Sequence, residues 1–173
     1  MEHIVVAIRP GQGPGVVSWA LRRARAGGGA LEIIASGLEW PDPHGVLVGV
    51  GLQLIAAGSE VPFAMRTVAV GMPTALAQTT GGVDVIVLGA PRGRVDRATA
   101  ASLVAIASSS VCPVVIVPPD WRAEAEDVAP PATTEVAASG LTAELIEAMC
   151  TGTLPIRIMP ASFVEESRQL VSD

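Results

Sequence analysis

The chain has 173 residues, half of them hydrophobic, with 3% aromatic and 16% charged residues. That balance excludes a disordered chain and a coiled coil, and the length suits one domain of about 100–150 residues plus an extension. Residues 1–121 carry eight acids and eight arginines, whereas residues 122–173 carry nine acids against Arg122, Arg157 and Arg168, which is the entire net charge of −6. An acidic chain without lysine argues against nucleic-acid binding and against an anionic membrane surface. The uncharged stretch His44–Ser59 is broken by four glycines and falls short of the roughly 20 apolar residues of a membrane helix. No leader pattern opens the chain, so a soluble, cytoplasmic protein without membrane insertion is expected. Cys112 and Cys150 lack CxxC spacing and histidine companions, and read as buried free thiols in a reducing compartment.

Short Val- and Ile-rich runs recur along the first 120 residues at Ile4–Ile8, Leu31–Ala35, Phe63–Val70, Val83–Leu88 and Val114–Val117. They lack period-2 alternation, as strands covered on both faces do. Between the first two, Val16, Val17, Ala20, Leu21 and Ala24 follow helical spacing, with arginines outward and Gly27-Gly28-Gly29 as a stop. The segment Val46–Ile55 bears no charge on any face and reads as a helix covered by something else. Pro73–Gln78 suits a short helix with proline at its start, and Ala98–Ser109 a longer one facing inward at Leu103, Ile106 and Ala107. Strand–helix–strand repeats with short connections predict a five-stranded parallel, doubly wound, Rossmann-like α/β sheet over residues 1–121.

Residues 122–139 are rich in Ala, Pro and acid and read as a linker. Residues 140–173 read as a helix–strand–helix extension. Thr142 caps a helix with Leu141, Leu145 and Met149 on one face, Ile156–Met159 is a strand, and Ser162–Glu165 is a capping box. Some 30 residues cannot stand alone, so the extension must dock on the core, a second subunit or a partner. The uncharged segment 46–55 is its natural complement.

Ligands of doubly wound sheets bind at the carboxyl ends of the strands, near the switch point. Two loops qualify: Arg9–Gly15 after the first strand, with Gly11, and Gly89–Arg97 after the fourth, with Arg92, Gly93 and Arg94. The first strand with its Gly-rich loop, Gly71-Met72-Pro73 with Ala75-Leu76, the block Val85–Gly89 and the closing Val111–Val117 resemble the universal stress protein family over residues 3–118. The resemblance implies a five-stranded parallel α/β fold, a homodimer through the last strand (Val114, Val115, Ile116 and Val117), and a role in stress physiology without a defined catalytic activity.

Many members of that family bind ATP or a related nucleotide through a Gly-x2-Gly-x9-Gly-(Ser/Thr) loop, with an acidic residue ending the first strand. This chain has Arg9 at that acidic position, Arg92 where the second glycine belongs, and Ala100-Ala101 for the last pair. A Cβ at Arg92 fills space that the phosphate-cradling backbone needs, and the hydroxyl donor is gone. The nucleotide site therefore reads as degenerate, with no cofactor expected and ATP or AMP as the alternative.

Arg9, Arg92, Arg94 and Arg97 gather at one sheet edge around the amino end of the helix at Ala98, a setting that favours anions. The plainer reading leaves Arg94 and Arg97 solvated and pairs Arg92 with Asp96. His3 and His44 have no second ligand nearby, so no metal site is supported, and Ser108–Ser110 lacks a nucleophile elbow and a base. The leading expectation is a non-enzymatic regulatory or scaffolding subunit with a homodimeric core. Its protein partner would meet the extension or segment 46–55. The alternatives are a nucleotide or anion sensor using the arginines, and an accessory subunit of a membrane transporter or larger assembly.

Overall fold

A computed structural model of the chain describes residues 1–79, 81–93, 95–122, 129–151 and 155–160. The apolar runs become strands β1 (His3–Ile8), β2 (Ala30–Ser36), β3 (Phe63–Val68), β4 (Val85–Gly89) and β5 (Val114–Val117). Helices α1 (Gly15–Gly27), α2 (Pro43–Ala56), α3 (Met72–Gln78) and α4 (Arg97–Ser109) connect them. Neighbouring strands in the order β3-β2-β1-β4-β5 are parallel throughout. Side chains of β1, β4 and β5 are buried on both faces, which is why their sequences run apolar without alternation.

Local chemistry sets the helix ends. The α1 helix stops at Gly28, whose φ of 63° lies in the left-handed region that a Cβ disfavours. Pro43 begins α2 after Asp42, whose carboxylate accepts from the Gly45 N–H at 2.9 Å. One face of the sheet packs on α1 and α2 around Trp19, Ile33 and Leu54, and the other on α3 and α4 around Met72, Leu88 and Ile106.

Among the described residues the sheet has seven strands, not five. Residues expected to form a linker include β6 (Thr134–Ala137), which is followed by α5 (Ala143–Thr151) and β7 (Ile156–Met159). Thr142 Oγ1 caps α5 by accepting from the Leu145 N–H at 3.2 Å. Strands β6 and β7 are parallel neighbours, so the described part of the extension is a strand–helix–strand unit. Its last strand lies antiparallel on β5, with Val114 opposite Ile158, Val115 opposite Arg157 and Ile116 opposite Ile156. The helix expected from Ser162 onward lies outside the described residues.

This arrangement corrects two expectations. Val114–Val117 was expected as an open edge for a second copy, and instead its free N–H and C=O groups are paired within the chain. A strand tethered by about 40 residues is present at a high effective concentration and fills such an edge first. Nor does the described part of the extension cover segment 46–55, while Val164, Leu170 and Val171 lie outside the described residues. Ile146, Ile156 and Ile158 join the α3–α4 face with Leu141 and Leu145 at its margin, on the opposite side of the sheet from α2. The apolar teeth of the extension fit the face continuous with β5.

Burying each of those isoleucines contributes about 1.5–3 kcal/mol, enough to fix a unit too small to fold alone. Ile158→Ala should therefore lower the unfolding free energy by about 2–4 kcal/mol in urea titrations. Glu135→Ala, which removes only an exposed ion pair to Arg157 at 3.3 Å, should stay within about 0.5 kcal/mol.

Candidate functional site

The chain leaves β1 toward β2 and β3 and returns to β4 on the other side, so the switch point lies between β1 and β4. A cleft of about 290 Å³ opens there at the carboxyl ends, lined by Arg9, Pro10, Glu39, Gly89, Pro91, Thr99 and Leu103. A wider depression of about 480 Å³ sits at Ala24, Arg25, Gly28, Gly58 and Val61, where α1 ends and β3 is about to begin.

The two loops expected to form the site do meet. The Arg92 N–H donates to the Gly11 carbonyl at 2.9 Å, and Gln12 bridges to Pro91. Their contact is filled by the chain itself. Gln12 Oε1 accepts from the Gly89 N–H at 3.3 Å, and its Nε2 donates to the Ala7 carbonyl at 3.4 Å. A Cβ on Gly89 would stand 2.7 Å from the Gln12 side chain. In the same loop, a Cβ on Gly13 would stand 1.9 Å from the Pro119 carbonyl oxygen, and one on Gly15 2.6 Å from that of Trp121. These glycines permit the segment after β5 to lie directly on the loop after β1.

The arginines are spread among separate partners. Arg9 forms a two-point pair with Glu39, Nε to Oε2 and Nη2 to Oε1 at 3.2 Å each, with both side chains 17% exposed. Glu39 is held in place by its neighbour Trp40, whose indole N–H donates to the Ile8 carbonyl at 3.0 Å. Arg92 reaches Asp120 at 3.4 Å in the open, not Asp96 as the plainer reading had it. Gly93 turns at a φ of 82°, Arg97 is exposed at the start of α4, and Arg94 lies outside the described residues.

Asp96 has another task. Its carboxylate accepts from the Thr99 N–H at 2.7 Å and caps α4, filling the place where an anion would meet the helix end. That backbone bond, then the Thr99 hydroxyl and the Ala98 N–H, holds its pKa below the ordinary carboxylate range. Glu39 and Asp120 escaped the sequence reading because both lie far along the chain from the loops they neutralise. The one local signal was a helix start written Asp96-Arg97-Ala98-Thr99, a capping pattern.

Among the described residues, no group of three His, Cys, Asp or Glu side chains gathers as a metal site requires. No helix among them is long and apolar enough to cross a membrane. Cys112 is a buried free thiol whose pKa burial pushes up, so it stays protonated near neutral pH. The Cys150 side chain lies outside the described ones.

The lowered Asp96 pKa fixes a sign. Its capping contribution is fully present above the unfolded value near 3.9 and fades as pH falls through the lower folded value. Asp96→Ala should lower the melting temperature at pH 7, and the gap to the parent should narrow in acid below about pH 4. Asp96→Asn, which keeps the cap but not the charge, should recover most of the loss at pH 7.

No protein-family model matches the chain, and no curated protein matches it.

Proposed function

We propose that this chain is a non-enzymatic regulatory or scaffolding subunit of universal stress protein type, acting through protein contacts, with its nucleotide site given over to internal packing. The observation that carries this reading is Gln12, whose amide occupies the Gly89 N–H at the switch point. A phosphate would need that donor free. Support also comes from the Arg9–Glu39 pair and the Asp96 cap, which replace the positive field of the cleft by matched charge. The absence of catalysis is supported by the raised Cys112 thiol and by Ser110, whose hydroxyl donates to the Cys112 carbonyl at 2.7 Å instead of facing a base.

One observation favours a second reading, a sensor of small anions. Arg9 lines the cleft, and displacing Glu39 would free its guanidinium toward Gly89 and Thr99. ATP or AMP would be the nucleotide form of that ligand.

Titration calorimetry separates the two. Under the leading reading, ATP gives no measurable heat up to about 1 mM, a binding free energy weaker than roughly 4 kcal/mol. Glu39→Gln should leave Arg9 unpaired and create weak polyphosphate binding that fades with added salt. Micromolar, salt-insensitive ATP binding by the unaltered protein would overturn the leading reading and establish a sensor.

A further inference from the structure

We propose that α2 and the free edge of β3 form the seat for a second copy of this chain, joined by antiparallel pairing of the two β3 strands about a two-fold axis at Met65. Between Pro43 and Ala56, α2 has no Asp, Glu, Lys or Arg. Its inner side buries Leu47, Val50 and Leu54, yet its outer side leaves Val48, Leu52 and Ile55 58%, 62% and 66% exposed. Met65 of β3, 39% exposed, lies against Gly51, which Val48 and Ile55 flank along the helix. These four side chains present on the order of 400 Å² of apolar surface, the size of patch that marks an interaction site. A standard interface takes about 800 Å² per partner, and the adjoining edge strand supplies much of the rest.

The chemistry of the patch selects a copy of itself. With no charge on α2, nothing there complements a basic, acidic or phosphorylated partner, whereas an identical apolar face satisfies it. The edges agree. β5 is closed by β7, which leaves β3 and β6 as the outer strands of the described sheet. On β3 the lone charge, Arg66, is drawn to Glu32 of the same chain, and so it does not guard the edge.

Backbone alternation then limits the register. The Leu31 N–H donates to the Pro62 carbonyl at 2.9 Å, so Pro62, Ala64 and Arg66 bond toward β2. Phe63, Met65 and Thr67 direct their N–H and C=O groups to the open side. A two-fold pairing that uses these groups with its axis at Met65 sets Met65 opposite Met65 and Phe63 opposite Thr67, with both methionines under the paired α2 helices. Arg66 then faces Ala64 of the other copy. Moving the axis one residue to Arg66 would use the same outward groups but oppose two arginines, and moving it to Ala64 would take Met65 off the axis.

Cross-linking tests the register. Opposed residues in a hydrogen-bonded antiparallel pair have Cα atoms about 5.5 Å apart, within disulfide reach. Met65→Cys should give a covalent dimer under mild oxidation, while Ala64→Cys, about 8 Å from its own copy by the same geometry, should not. Sedimentation of the unaltered chain should show a species near twice 17.6 kDa. Changing Leu52 and Ile55 together to Glu should yield a folded monomer, since both positions are exposed within one copy. An unaltered chain that stays monomeric at about 100 µM would overturn the proposal. So would a double variant that remains dimeric, or equal cross-linking at residues 64 and 65.

Discussion

Four residues at the end of the parallel sheet, Val114–Val117, constrain the arrangement of everything that follows them. Their side chains are buried on both faces, and their outer N–H and C=O groups need partners that water cannot supply at that depth. β7 supplies them antiparallel, and once it is seated its place decides the rest. α5 must cross the face shared with α3 and α4, where Ile146 adds to the same core, and β6 becomes the new margin.

The closing of one edge exposes the character of the other. Among the described residues β3 pairs only with β2, and half of its backbone groups face outward beside an uncharged helix. Beside that edge Val48, Leu52 and Ile55 leave apolar surface open. The two edges thus differ in kind. The β5 edge is consumed by the chain itself, and the β3 edge lies beside a helix without charge.

The cleft at the switch point follows a related logic. Parallel strands diverging between β1 and β4 always leave a crevice, and a ligand site needs donors and positive charge left unspent within it. Here the donor of Gly89 is spent on Gln12, the guanidinium of Arg9 on Glu39, and the amino end of α4 on Asp96. Gly13 and Gly15 admit Pro119 and Trp121, which tie the end of β5 to the loop after β1. Packing and binding compete for the same small residues, and the contacts within the chain hold them.

By itself, the sequence determined the alternation of strand and helix through residue 121, the capped start of α5 and the extent of β7. Those features rest on short-range causes: apolar runs, turn glycines and capping side chains. Gly89, Gly11, Arg9, Arg92 and Arg97 lie at the carboxyl ends of the strands, as the sequence placed them, for the same reason. Only the tertiary structure decided which partner each would take. β6 was illegible because Thr134–Ala137 has no apolar run of its own and is a strand solely through its pairing with β7. Glu39 and Asp120, some 30 residues from the arginines they meet, carry no local mark of that role. The side of the sheet on which the extension docks was equally hidden. Apolar spacing shows that a face must be buried, but which surface buries it depends on where an edge of unpaired backbone happens to lie.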